Sequence, residues 1–130
     1  MTTVLLDTHA LQWWTAEPRR LSKRAKAAIG DADELAVAAI TWFELASLAE
    51  HDRITLSIPV SAWLAQLAGA VRTAQITPGI GHAAARLPAA FPGDPADRLI
   101  YATAAERGWP LVTKDAAMRE HRHPSQITIW

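Results

Sequence analysis

The 130 residues suffice for one domain and not for several, and half of them are hydrophobic, so the chain can bury a substantial core. Thirteen Lys and Arg balance thirteen Asp and Glu, with five His counted neutral, which excludes a chain dominated by a polybasic nucleic-acid arm or an acidic disordered tail. Without Cys there is no disulfide framework, thiol nucleophile or cysteine-ligated zinc or iron–sulfur site, and a reducing compartment fits.

The start, MTTVLLDTHALQWW, has neither the basic region nor the small-residue cleavage site of a secretory signal, so it is expected to be mature protein in the cytoplasm. Val4-Leu5-Leu6 has the look of a short buried strand, and a helix is expected over 9–15. Ser22 is placed to cap a helix that Gly30 ends. A second strand is expected over 35–40, then a helix over 41–50. The run 54–71 has no charge, but Pro59, Thr55, Ser57, Ser61 and Gln66 interrupt it. It is therefore read not as a membrane span but as a helix over 61–71, apolar nearly all round and buried on more than one side, in the core or against a partner. A weak strand follows over 74–77, and Pro78-Gly79 turns into a helix near 82–87. Asp94-Pro95 opens a helix through Glu106 that Gly108 stops. Strands over 109–113 and 126–129 flank a helical stretch over 115–120. This alternation indicates a single α/β domain over 1–130 with a largely parallel sheet and right-handed crossovers.

In a parallel sheet all strand C-termini share one edge, and ligands bind there at the topological switch point. Asp7 follows the first strand, Glu44 lies in the first turn after the second, Asp94 and Asp97 open a later helix, and Asp115 follows the strand ending in Thr113. Each has a plain explanation as a helix cap: Thr41-x-x-Glu44 reads as a capping box, Asp94 as a cap with Asp97 three residues on, and Asp7 and Asp115 as caps. Gathered together, the acids repel. At an effective dielectric near 20 and about 5 Å apart, a like-charged pair costs roughly 3 kcal/mol, more than the ~1 kcal/mol of a cap. A cation is therefore expected among them, and hard oxygen donors favour Mg²⁺ or Mn²⁺ over zinc. Such ions activate water and neutralise phosphoryl charge, which points to a divalent-metal phosphoesterase.

Four segments, LLDTHALQWW, AAITWFELASL, DPADRLIYATA and PLVTKD, stand in order along nearly the whole chain. Together they resemble the motifs of PIN-domain ribonucleases, in particular VapC-type toxins of toxin–antitoxin pairs. The resemblance implies a three-layer α/β/α fold with four to five strands. It also implies that Asp7, Glu44, Asp97 and Asp115 hold one or two Mg²⁺ or Mn²⁺ ions. Asp94 is either a helix cap or a further participant in the metal shell. Thr113 is similar to the family's hydroxyl residue and would orient a metal-bound water, unless it is a structural strand-end hydroxyl. The implied reaction is hydrolysis of RNA by metal-activated water, with the phosphate left on the downstream fragment and no histidine needed as base. Implied partners are RNA, a small cognate antitoxin that holds the enzyme inactive, and a second copy in a homodimer. One departure stands out: where the family often has Gly-Arg-Ile, this chain has Asp52-Arg53-Ile54 after His51.

RNA affinity requires positive charge outside the acids. Arg19, Arg20, Lys23, Arg24 and Lys26 fall within eight positions and form the candidate backbone-binding patch, the alternative being a solvated helix face. Arg98 and Lys114 adjoin site acids and could pair with them or contact phosphate. His121-x-His123 is expected to be solvated, His9 to pack at the start of its helix, and Trp13, Trp14, Trp42 and Trp63 to pack in the core or an interface. Two other functions share these features. A receiver-like phosphoacceptor domain needs an acidic pair after the first strand and an acceptor Asp after the third, yet Asp7 is followed by Thr8 and no Asp lies between Asp52 and Asp94. A non-catalytic binding module needs the acids only as caps. With the five site acids set aside, eight acids face thirteen bases, so a neutral total conceals a mildly basic remainder.

Overall fold

The computed structural model describes residues 1–122 and 126–130. Every residue of strand β1 (Thr3–Leu6) is buried, so both faces of the strand are covered. The other strands are β2 (Glu34–Ala38), β3 (Arg72–Ala74), β4 (Leu111–Val112) and β5 (Thr128–Ile129). They form one sheet of order β3-β2-β1-β4-β5 in which all pairings are parallel. Leu6 lies beside Val37 and Val112, and Leu5 beside Ala36 and Leu111. Alternation sends Val4, Leu6, Val37 and Val112 to one face. There they meet Leu11 and Trp13 of α1 (Thr8–Ala16), Ala25 and Ile29 of α2 (Lys23–Asp31), Leu45 of α3 (Ile40–Glu50) and Leu67 of α4 (Val60–Ala70). On the other side, α5 (Pro78–Ala85) packs Ile80 and Ala84 against Ala102 of α6 (Pro95–Arg107). Ile100, Tyr101 and Ala104 of α6, with Met118 of α7 (Ala116–Glu120), cover Leu5, Ala36, Ala38 and Leu111. The result is the expected three-layer α/β/α arrangement.

Strand order reverses between β1 and β4, which places the switch point where their C-terminal ends meet. A receiver-like sheet has order 2-1-3-4-5, so the observed order removes that alternative. Several boundaries differ from expectation for local reasons. Ile40 belongs to α3 and not to β2. The third strand is 72–74, because Thr77 caps α5 by accepting from the Ile80 N–H at 3.1 Å and Pro78 takes the first helical position. Helix α2, capped by Ser22 as expected, runs through Gly30 to Asp31. Gly108 ends α6 at φ 69°, with the Trp109 N–H on the Ala104 carbonyl at 2.9 Å.

Among the described residues α4 is not buried on more than one side. Leu67 is buried and Trp63 and Leu64 are half-buried, while Ala62, Ala65, Ala68 and Ala70 face solvent. Trp13 and Trp14 pack internally, as expected. His121 is not a solvated surface residue: its ring stands edge-on to Phe91 at 5.2 Å and to Tyr101 at 5.1 Å. His123 lies outside the described residues.

Among the described residues Arg98 pairs with no acid. Its guanidinium donates to the carbonyls of Ala84, Leu87, Pro88, Phe91 and Pro92, tying the segment between α5 and α6 to α6. Hydrogen bonds from a charged donor contribute about 1.5–3 kcal/mol each, so Arg98→Met is expected to destabilise the fold by at least ~3 kcal/mol in urea unfolding.

The departure after α3 keeps its turn. Asp52 adopts φ 56°, the left-handed conformation that Gly takes without penalty. The Arg53 N–H bonds the Leu48 carbonyl at 2.8 Å, closing the helix end. Asp52→Gly is expected to stabilise the protein by about 1 kcal/mol, since it relieves this strain; a lower unfolding midpoint would contradict it.

Candidate active site

Asp7 is the first residue beyond β1 and the N-cap of α1. Its Oδ1 accepts from the Ala10 N–H at 2.7 Å, and its Oδ2 accepts from the Thr113 hydroxyl. That hydroxyl in turn accepts from the Asp115 N–H at 3.1 Å. Thr113 is fully buried and its one proton goes to Asp7, so as placed it positions a carboxylate. Asp115 caps α7, accepting from the Met118 N–H at 2.9 Å, and Asp94 caps α6, accepting from the Ala96 N–H at 2.8 Å. Asp97 sits in the first turn of α6.

Glu44 is held differently from the expected capping box. Helix α3 starts at Ile40 with no side-chain cap, so Thr41 is inside the helix. The Thr41 hydroxyl instead meets the Thr8 hydroxyl at 3.1 Å, and Thr8 donates to Glu44 at 2.5 Å. Thr8 is a site residue that sequence reasoning missed. The signal for it was its place, immediately after Asp7 at the strand end.

Asp7, Glu44, Asp94, Asp97 and Asp115 all line one crevice of about 690 Å³ at the switch point. They ring it: among the described residues no three acidic, His or Cys side chains are closed up enough to hold a metal ion as placed. His9, exposed and 5.6 Å from the Trp13 ring, also lines the crevice, as do Arg20, Arg53 and Lys114. Arg19, Lys23, Arg24 and Lys26 are exposed and outside it.

Burial raises the Asp7 carboxyl above its ordinary value, and the Thr113 and Ala10 hydrogen bonds oppose that rise. Asp97 is pushed up to about 7 by partial burial and then by the charges of Asp94, Asp115, Glu44 and Asp7. Carboxylates gathered and partly buried in this way supply hard oxygen donors that suit a divalent cation.

A chain with these acids at the β1/β4 switch point matches the PIN domain over residues 4–124. It belongs to the PIN-domain family. It is 65% identical to Ribonuclease VapC22 of Mycobacterium tuberculosis over 130 residues, covering all of both chains, and is thus a full-length VapC homologue. Among solved structures it is similar to VapBC2 from Rickettsia felis bound to a promoter DNA fragment, at TM-score 0.70 and 14% identity over 98% of this chain and 97% of that one. It is also similar to a toxin–antitoxin complex from Klebsiella pneumoniae, at TM-score 0.63 and 20% identity over 86% of each chain. At these identities the structures support the PIN fold alone. Among the described residues no helix is long and apolar enough to cross a membrane.

The Asp97 shift predicts a pH dependence of the metal-free PIN domain. A carboxyl raised from 3.8 to about 7 binds its proton more tightly folded than unfolded, so its contribution is full below 3.8 and is lost as pH rises to about 7. The metal-free melting temperature is expected to fall across that window, Asp97→Asn is expected to flatten the fall, and Mg²⁺ is expected to stabilise more at the upper end. An unchanged slope in Asp97→Asn would refute the assignment.

Proposed function

We propose that this PIN-domain protein is a metal-dependent endoribonuclease, the toxin of a toxin–antitoxin pair. The observation that carries the reading is the convergence of carboxylates from the ends of β1 and β4 and from α3 and α6 on one crevice, where partial burial and then the neighbouring acids raise the proton affinity of Asp97. Asp7, Glu44, Asp97 and Asp115 would hold one or two Mg²⁺ or Mn²⁺ ions, with Asp94, a helix cap that lines the same crevice, as a further participant. When bound, such an ion lowers the pKa of a water and neutralises charge on the phosphoryl oxygens.

The chain's own groups do the rest. Asp7 is fixed by the Ala10 N–H and the Thr113 hydroxyl, and Glu44 by Thr8, so both carboxylates are oriented before substrate arrives. Water attacks phosphorus and the 3′-oxygen leaves, which gives 5′-phosphate and 3′-hydroxyl ends. The 2′-hydroxyl is not the nucleophile.

The name of Ribonuclease VapC22 and its identity to this chain support the RNA substrate. The toxin reading brings with it an antitoxin as partner, in keeping with the solved toxin–antitoxin complex from Klebsiella pneumoniae that shares the fold. Phe43, 70% exposed, and Ile40 line a groove that shares Thr8, Glu44 and Asp94 with the crevice, a suitable seat for an antitoxin segment. The exposed alanines of α4 supply apolar area for a second copy.

Incubation of cellular RNA with wild type and Mg²⁺ is expected to give fragments with 5′-phosphate ends, and Asp7→Asn is expected to cut at least ~100-fold more slowly. End-mapping checks both. Products bearing a 2′,3′-cyclic phosphate would mean intramolecular attack and would sink the mechanism.

A further inference from the structure

RNA brought to a ring of carboxylates needs cations close by to hold its phosphates. Of the basic run over 19–26, Arg20 lines the crevice and the others do not. The feature that singles out Arg20 is Trp13. This indole, 7% exposed, carries the Arg20 guanidinium 4.5 Å from its ring centre and the Lys114 ammonium at 5.8 Å. Trp130 packs against it at 5.8 Å and 59°. Lys114 is also placed by its neighbours, since it stands between Thr113, which bonds Asp7, and Asp115, which lines the same crevice.

Cations held over an aromatic face are attracted by about 0.5–1 kcal/mol at exposed sites and are partly ordered before any ligand arrives. Arg20 also bonds Glu17 at 3.1 Å. That surface pair occupies one edge of the guanidinium and is weak, so the remaining donors stay available for a planar, two-pronged contact with phosphate. Among the described residues Lys114 has no ion-pair partner.

We propose that Trp13 is a positioning residue that holds Arg20 and Lys114 at the crevice lip as a clamp on an RNA phosphodiester neighbouring the one that is cut. The clamp, and not the larger charge on α2, is the main grip on the substrate. This rests on the endoribonuclease reading, and the test separates the two.

Binding of a mixed-sequence single-stranded oligoribonucleotide is measured by anisotropy at several salt concentrations with Mg²⁺ in an Asp7→Asn background, which limits cleavage. Adding Arg20→Gln with Lys114→Gln is expected to weaken binding at least ~10-fold and to make the log–log salt slope shallower by about 1.4, the contribution of two phosphates on a single strand. Replacing Lys23, Arg24 and Lys26 together by Gln removes three charges and is expected to have the smaller effect. Trp13→Phe, which keeps an aromatic face, is expected to retain most of the affinity, and Trp13→Leu to approach the double variant. If Trp13→Leu fails to fold, the surface pair Arg20 and Lys114 still decides. A loss in the double variant no greater than that from the α2 substitutions overturns the clamp and leaves the ribonuclease intact. Absence of RNA binding in the Asp7→Asn background also overturns the clamp, and wild-type cleavage of cellular RNA then shows separately whether the parent reading stands.

Discussion

The site depends on one buried carboxylate. Asp7 lies where β1 ends and α1 begins, 8% exposed, and no basic side chain pairs with it among the described residues. Its charge is met by directed donors instead: the Ala10 N–H at the start of α1 and the hydroxyl of Thr113, which arrives from β4. That second donor exists only because β1 and β4 are neighbours, with Leu6 beside Val112 and the Asp7 N–H on the Val112 carbonyl at 3.1 Å. The strand order that makes the switch point thus also makes the hydrogen bond that holds its central acid. Through the Asp115 N–H the same hydroxyl sets the position of a second acid.

Capping and metal binding are usually weighed as rival explanations of an acid at a helix start, and here they are one arrangement. Asp94 and Asp115 each accept a helix N–H with one oxygen, which leaves the other outside the cap bond, and both residues line the crevice. The N-termini of α1 and α6 also bring partial positive charge to the same place. That offsets part of the repulsion among the acids, yet their charges still add to the partial burial that pushes Asp97 up to about 7. The residual repulsion is what a cation can relieve. The cap-only binding module leaves it without a purpose.

How much of this was legible depended on range. Strands with continuous apolar runs, the Ser22 cap, the Gly108 stop and the acids at strand ends are written in neighbouring residues, and they were read correctly. The capping box was misread because Thr41-x-x-Glu44 is a valid local pattern whose members are taken by a residue thirty-odd positions away, Thr8. Likewise, Arg98 looks like a site cation beside Asp97, and only the folded loop reveals carbonyls converging on it. Helix α4 shows a different limit: apolar composition reports what a surface can bury, not whether the same chain supplies the cover.

These placements change the meaning of a net charge of zero. Arg98, the cation nearest Asp97 in sequence, is turned away and saturated by carbonyls, so it does not neutralise the crevice from within. The cations that do line the crevice are exposed ones, Arg20, Arg53 and Lys114, held by an indole, a left-handed turn and a strand end. The deepest charges in the crevice are acidic, with Asp7 buried and Glu44 and Asp97 half-buried, while Asp94 and Asp115 are exposed like the cations. A polyanion approaching such a surface would meet exposed cations alongside Asp94 and Asp115, and an ion bound among the acids would reduce the repulsion. A net charge of zero therefore does not exclude a polyanionic ligand, because exposed cations line the same crevice as the acids.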